Sequence, residues 1–334
     1  ETDYLQNPIP SAAWGDAATI CPWQIYQTYG NRKVLEDQFG SMKQWVDYIT
    51  HATTTPNLWT GGTHYGDWLG LDAPSGSYKG SSREDLIASA FYALSTQLVI
   101  QAGHVLGEDV EAYEELYPAI VSAFRSAYPE YRTQTEYTVA VWFGLAEYPQ
   151  QSADELAELV KKDGCRLRTG FVGTPFLLHV LSRYGHEDLA YTLLLRREYP
   201  SWLYPVTKGA TTIWEHWDGI MEDGGFWSAD MNSFNHYAYG SVADWIYEEA
   251  AGIRPLEPGF ARVQVAPKPD RRLGWLEASI ETRNGVVRSR WEYRDGGVRY
   301  EIETEMPVIV VIDGRDRSMP AGNYIFWGSE KENK

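Results

Sequence analysis

The chain changes its hydrophobic period once, at Gly252-Ile253-Arg254-Pro255, and that switch limits what it can fold into. Before it, apolar residues recur every three or four positions, as on one face of a helix; after it they alternate, as on a half-buried strand. The expected division is a helical part at 1–252 and a small antiparallel β part at 253–328, with Ser329 to Lys334 as a polar tail.

In the helical part, Trp14, Ala17, Ala18, Cys21, Ile25 and Tyr29 form one stripe. After Gly30-Asn31, Val34, Leu35, Met42, Trp45, Val46 and Ile49 form a second. Ser82-Arg83-Glu84-Asp85 reads as a capping box opening a helix that runs to about Leu106. Further helices are expected at 108–128, 133–147, 152–162, 175–184, 186–197 and 234–251, broken by Pro129 and by Pro149-Gln150-Gln151-Ser152. The pattern is one of helical hairpins packed around an axis. Two long loops, 52–82 and 199–232, interrupt it. Loops of that length are functional when they are not disordered, and Trp59, Tyr65 and Trp68 argue against disorder. After the switch, strands are expected at 261–266, 276–283, 286–293, 297–304 and 308–312. Asn284-Gly285 is a tight hairpin turn, and Pro267-Lys268-Pro269 and Asp295-Gly296-Gly297 are further breaks.

The 46 acidic and 29 basic side chains give a formal charge of −17, a field that repels polyanions and anionic lipid, so neither nucleic acid nor a membrane is an expected partner. No run approaches the roughly 18 consecutive apolar residues of a membrane span. Cys21 and Cys165 stand alone, which excludes a disulfide framework and paired-Cys metal motifs; two buried free thiols are expected. Neither a metal nor a cofactor is called for. Residue 1 is Glu, so a processed or partial chain is expected, and its compartment stays open between cytoplasm and export with a removed leader. The aromatic share is high, with 14 Trp and 23 Tyr, which suits a groove stacking on apolar sugar faces while sugar hydroxyls are hydrogen-bonded.

His-Glu-x-x-His, Gly-x-Ser-x-Gly and phosphate-loop signatures are absent. Carboxylates set among Trp and Gly remain: Trp14-Gly15-Asp16-Ala17, Tyr65-Gly66-Asp67-Trp68 and Thr211-Thr212-Ile213-Trp214-Glu215-His216-Trp217-Asp218, followed by Ser233-Phe234-Asn235-His236-Tyr237. Glycoside hydrolysis needs two carboxyl groups, one as acid and one as base or nucleophile. A carboxylate between indoles is partly desolvated, which makes it a better base, and Glu215 has that setting. The alternative for Glu215 is a helix cap or a surface pair with Arg. For Asp16 and Asp67 it is N-capping, and for His236 a satisfied core position.

Five motifs occur in the order of one family: Trp14 to Ala17, Gly66 to Trp68, Thr169-Gly170-Phe171-Val172-Gly173-Thr174-Pro175, Gly209 to Asp218, and Ser233 to Gly240. Across nearly its whole length the chain resembles the C-terminal part of the α-L-rhamnosidases of glycoside hydrolase family 78. The resemblance implies a mainly α fold, a six-hairpin (α/α) toroid followed by a β-sandwich, and inverting hydrolysis of terminal α-L-rhamnose from a carbohydrate substrate. It implies that Glu215 is the general base, that His236 contacts the sugar, and that Trp14, Asp16, Asp67, Trp68 and Trp217 line the pocket. The family's general acid lies in an Arg-Asp-Glu-Arg segment upstream of Trp-Gly-Asp, and nothing in this sequence corresponds to it; Arg83-Glu84-Asp85 is out of place. The helices are also short of a full toroid. Either the chain is part of a longer enzyme or it is a shortened relative. An open toroid would expose apolar helix faces that a homodimer could cover. Two rival readings stand beside the glycosidase: a non-catalytic sugar-binding module, and a hydrolase of another class, such as an esterase, that uses Glu215 or Asp16.

Overall fold

The computed structural model describes residues 10–229, 231–294 and 296–329. Glu1, the Asp295 end of one turn and the tail beyond Ser329 lie outside these. The chain forms two compact units, one built from residues up to 24 and 32–184, the other from 25–31 and the chain from 185 onward.

Eight helices lie in the stretches where helices are expected: α1 Ala17–Tyr29, α2 Arg32–Ala52, α3 Glu84–Leu106, α4 Glu111–Ala127, α5 Gln134–Trp142, α6 Pro149–Lys162, α7 Thr174–Arg183 and α8 Glu187–Leu195. The α1 stripe is not the buried face, since α1 buries Thr19 and Pro22 while Trp14, Ile25 and Tyr29 of the stripe are exposed. The α6 helix starts at Pro149, because proline fits the first turn of a helix, and α5 ends at Trp142 rather than 147. A short α9, Leu203–Thr207, lies inside the second long loop. The expected helix at 234–251 starts late and changes pitch, from a 3₁₀ turn at Ala238–Ser241 to α at Val242–Trp245 and π at Ile246–Ala250.

In the first unit, α2 buries Leu35, Phe39, Met42, Val46 and Ile49, a stripe with alternating steps of four and three. The α3 helix is long and apolar enough to cross a membrane by length and composition, yet here it is a core helix with most of its surface buried. It ends because Gly107 adopts φ 76°, a left-handed conformation that only glycine takes cheaply, and the Gly107 N–H closes on the carbonyls of Gly103 and His104.

The capping box is not at Ser82. Arg83 holds the N-cap position of α3 without a side-chain cap, and the Ser82 hydroxyl lies 2.7 Å from that of Thr133. The N-cap half of the motif operates instead at Thr133-Gln134-Thr135-Glu136, where the Thr133 hydroxyl accepts from Glu136 N–H at 3.1 Å and caps α5, while the Glu136 side chain turns to Arg132 N and Arg83. The buried Glu136 carboxylate accepts from Arg83 N and Nη2 at 2.9 and 2.8 Å and from Arg132 N at 2.8 Å, so it joins the starts of two helices. The cysteines also depart from expectation: Cys21 is exposed and Cys165 partly so, and neither forms a disulfide.

The second unit ends in a β-sandwich of eight strands, three more than the alternation signals. One sheet has the order β1-β2-β6-β7, with β1 Ile253–Pro255, β2 Val263–Val265, β6 Val308–Ile312 and β7 Arg315–Met319. The other is β3-β4-β5-β8, with β3 Trp275–Thr282, β4 Gly285–Arg294, β5 Gly297–Thr304 and β8 Gly322–Ser329. All pairings are antiparallel except β2 with β6, which run parallel. Val263, Val265, Val308 and Val310 from one sheet share a core with Val287, Trp291, Val298 and Ile302 from the other.

Ile246–Ala250 is bonded into this core. Trp291 Nε1 donates to Ala250 O at 2.8 Å, and Ser289 Oγ to Ala251 O at 2.7 Å. Glu249, with no exposed surface, pairs with Lys268 at 2.9 Å and with Arg254. Removing one member of a buried ion cluster strands the others, at a typical cost of about 3–5 kcal/mol. Both cations keep some contact with water, so Glu249→Gln is expected to cost about 3 kcal/mol in denaturant unfolding followed by Trp fluorescence. A cost below about 1 kcal/mol would mean that hydration replaces the carboxylate.

Candidate active site

The first unit holds Trp14, Asp16, Asp67 and Trp68. Asp16 is fully buried: Oδ2 accepts from Ala13 N at 2.8 Å, and Oδ1 accepts from Trp45 Nε1 at 2.7 Å and Ser95 Oγ at 2.6 Å. Burial pushes its pKa up and the donors pull it back. Gly15 is explained by the same contact, because a Cβ there would sit 2.2 Å from the Trp45 ring. Asp16 therefore clamps the turn before α1 onto α2 and α3, and its carboxylate does not cap the first N–H groups of α1.

Asp67 is also fully buried. It accepts from Gly170 N at 2.7 Å, Val172 N at 3.0 Å, Gly173 N at 3.3 Å and the Thr135 hydroxyl. Phe171 N donates to Trp68 O at 2.8 Å alongside. A Cβ at Gly170 would meet Trp68 O at 2.3 Å, and one at Gly173 would meet Thr135 Oγ1 at 2.3 Å. The glycines of the 169–175 motif let its backbone wrap this carboxylate. Burial raises the Asp67 pKa to about 6.

These two carboxylates hold up a strip of partly exposed rings. Trp14 and Tyr65 are 4.9 Å apart, Tyr65 and Trp68 5.7 Å, and Trp68 and Tyr78 5.4 Å between centroids. The strip is fixed from behind: Ser11 Oγ accepts from Tyr65 N at 2.9 Å, and His64 Nδ1 accepts from Ala12 N at 3.1 Å. That bond puts the His64 proton on Nε2, 3.1 Å from Gly61 O, and burial lowers its pKa, which favours the neutral ring.

The second unit holds Glu215, Trp217 and His236. Two stretches far apart in sequence run side by side, with Glu215 N donating to Ser233 O at 2.9 Å and His236 N to Ile213 O at 2.8 Å. Ser233 N in turn donates to Glu215 Oε2 at 3.2 Å. The other carboxylate oxygen, Oε1, stands 3.9 Å from His236 Nε2. His236 Nδ1 accepts from Ala238 N at 3.3 Å, so a neutral ring carries its proton on Nε2, toward Glu215. One oxygen of Glu215 is held and the other faces a donor, on a side chain that keeps 17% exposure. That arrangement can take a proton from water and share the charge with an imidazole.

The indoles on either side of Glu215 in the sequence are packed inward. Trp217, 2% exposed, stacks on Tyr239 at 3.9 Å with Trp202 edge-on at 5.2 Å, and Trp214 meets Phe234 edge-on at 4.9 Å. His216 pairs with Asp218 and stacks on Trp227 at 3.7 Å.

Residues 3–250 match the family profile of the bacterial α-L-rhamnosidase six-hairpin glycosidase domain, and 252–315 that of the bacterial α-L-rhamnosidase C-terminal domain. The chain belongs to this rhamnosidase family. An α-L-rhamnosidase of Streptomyces avermitilis is 40% identical over 294 residues, which is 86% of this chain and 28% of that protein. The solved structure of an S. avermitilis α-L-rhamnosidase complexed with L-rhamnose superposes with TM-score 0.88 at 35% identity, covering 95% of this chain and 33% of the other. The α-L-rhamnosidase of Aspergillus terreus gives 0.90 at 30%, covering 97% and 40%. The chain thus spans about a third of the curated relatives it matches.

Three residues that fix the site carry no role in the sequence reading: Trp45 and Ser95, which hold Asp16, and Thr135, which holds Asp67; Ser233 lies inside a motif singled out there. Ser95 had a usable signal, since it is a hydroxyl in the apolar run of α3 and such a residue needs a buried partner.

Proposed function

We propose that this chain carries the base side of an inverting α-L-rhamnosidase site. Glu215 removes a proton from water, and the oxygen attacks the anomeric carbon of a terminal α-L-rhamnosyl residue from the face opposite the leaving group. The bond to the aglycone oxygen breaks, and that oxygen takes a proton from a general acid; the Arg-Asp-Glu-Arg segment that resembling enzymes use for it has no counterpart among these 334 residues. His236 steadies the carboxylate; the partly exposed Trp14 and Trp68, on loops that Asp16 and Asp67 hold, are sugar-facing rings as the family resemblance implies, whereas Trp217, 2% exposed, acts through packing. The chemistry belongs to residues up to 252, with 253–328 as a separate β domain.

One observation carries the reading: a carboxylate with Oε2 fixed by Ser233 N–H and Oε1 turned to the Nε2–H side of His236, within the glycosidase-family segment. The test is proton NMR of the 334-residue chain acting on an aryl α-L-rhamnoside with a strongly activated leaving group, whose departure needs little protonation. The first anomer released should be β-L-rhamnose. Release of the α anomer first would contradict inversion. Calorimetric binding of L-rhamnose with no release of sugar would replace the enzyme by a sugar-binding module.

A further inference from the structure

The outer face of the β3-β4-β5-β8 sheet presents large apolar side chains at both of its edges. Its two edge strands each carry a tryptophan turned to solvent, Trp275 at 58% and Trp327 at 60% exposure, with Ile325 at 59% beside the latter. Ile325 and Trp327 adjoin on one side of β8, and contiguous exposed apolar surface of this kind marks an interaction site.

The register places the two rings deliberately. Trp275 pairs with Glu292, Glu292 with Arg299, and Arg299 with Trp327, so the tryptophans end one row that crosses all four strands. Three inter-strand steps put them about 14 Å apart. The next row is Glu277, Arg290, Glu301 and Ile325, and the one after it Ser279, Arg288, Glu303 and Asn323. Alternation turns all of these side chains outward, while Ala278, Val287, Trp291, Val298 and Ile302 fill the core.

Between the rings the polar groups lock one another. Arg290 bonds Glu292 at 3.2 Å and Glu301 at 3.0 Å, Arg294 pairs with Glu292 at 3.0 Å and Arg288 with Glu303 at 3.3 Å, and Arg299 pairs with Glu301. Arg288, Arg290, Arg294 and Arg299 stand against Glu277, Glu281, Glu292, Glu301 and Glu303, so these side chains sum to a formal charge of only −1 in a chain of charge −17. A nucleic acid or anionic membrane would need a positive patch, and a basic peptide a negative one.

A ladder of paired guanidinium and carboxylate groups offers donors and acceptors already fixed in place, so a ligand meets little ordering cost. Flanking rings offer flat apolar faces. Sugars present both surfaces at once, apolar C–H faces and hydroxyl edges, and a row 14 Å long matches a short run of linked residues rather than one monosaccharide.

We propose that this sheet face is a docking platform for a polysaccharide chain, distinct from the Glu215 site, with Trp275 and Trp327 as its two stacking ends. It depends on the rhamnosidase reading only for which glycan is bound.

The test is native affinity electrophoresis of the 334-residue chain through gels containing gum arabic, as a rhamnose-bearing glycan, or hydroxyethylcellulose, as a rhamnose-free one. Gum arabic should slow migration, and the Trp275→Ala/Trp327→Ala double variant should bind at least about tenfold more weakly while keeping its unfolding midpoint. Glu215→Gln should be slowed as much as the parent, and free L-rhamnose should not release it. Absence of turnover in the parent chain, or unchanged turnover in Glu215→Gln, with retardation intact would sink only the catalytic reading. Four results would overturn the platform: no retardation in either gel, retardation unchanged in the double variant, retardation abolished by free rhamnose, or self-association through the two tryptophans with no glycan binding.

Discussion

Glu215→Gln is expected to lower turnover of an activated aryl α-L-rhamnoside by about 10²–10⁴, the usual worth of a general base. The amide is nearly isosteric and its oxygen can still accept from Ser233 N, so the 213–215 and 233–236 stretches should stay paired. What is lost is basicity: an amide does not take a proton from water at neutral pH. An activated leaving group is essential to the measurement, because it makes the rate depend on water attack rather than on protonation of the aglycone. Rhamnose affinity measured by calorimetry should change little, since the water-side oxygen matters more to the transition state than to the ground state. Glu215→Ala gives a positive readout. Azide needs no base, and if it enters the vacated space it attacks the anomeric carbon while the aryloxide leaves, giving β-rhamnosyl azide. Turnover of Glu215→Gln at the parent rate would remove Glu215 from the chemistry.

Much of this architecture was legible because it is written in period. The α2 stripe and the switch at 252 are direct consequences of burial on one face; of the stripe as read, Leu35, Met42, Val46 and Ile49 are buried, Val34 and Trp45 are only partly so, and Phe39 joins them. The failures have physical causes. The capping box was assigned to Ser82 although Thr133-Gln134-Thr135-Glu136 fits the same pattern, because a cap is decided by where the hydroxyl turns, and the Ser82 hydroxyl turns to Thr133. β7 was missed because Arg315–Met319 has no apolar alternation: it pairs only with β6, and its backbone carries the interaction. For the candidate site, the residue types and order were readable, but not which carboxylate stays accessible. Asp16 and Asp67 looked equivalent to Glu215, each a carboxylate beside Gly or Trp. Only the fold reveals that they are saturated, Asp16 by Ala13, Trp45 and Ser95 and Asp67 by partners up to 106 positions away, while Glu215 keeps one oxygen facing an imidazole.

Asp67→Ala is expected to be the most damaging single change to the first unit, and it acts without touching substrate. Three backbone N–H groups and the Thr135 hydroxyl converge on this carboxylate. Without it each is a buried donor with no acceptor, at about 1–3 kcal/mol apiece. Against that stands the relief of burying a charge. A pKa raised from 3.8 to about 6 corresponds to a cost on the order of 3 kcal/mol at neutral pH. The donors win, with a net loss of about 3–5 kcal/mol expected, and the damage should appear first as faster hydrogen exchange at Gly170, Val172 and Gly173. The pH dependence has a definite sign. The folded state holds the Asp67 proton more tightly than the unfolded chain, so between about pH 6 and 4 protonation favours folding, and the Asp67 contribution to stability falls as pH rises through that window and is flat above it. Asp67→Asn lacks the titration, so its stability relative to the parent should improve from pH 4 to 6 by up to about 1.4 kcal/mol per unit. If the parent and Asp67→Asn curves run parallel across that window, Asp67 does not titrate there. If exchange at 170–173 is unchanged in Asp67→Ala, the carboxylate does not hold the loop, and the strip of Trp14, Tyr65 and Trp68 owes its position to the Ser11 and His64 bonds alone.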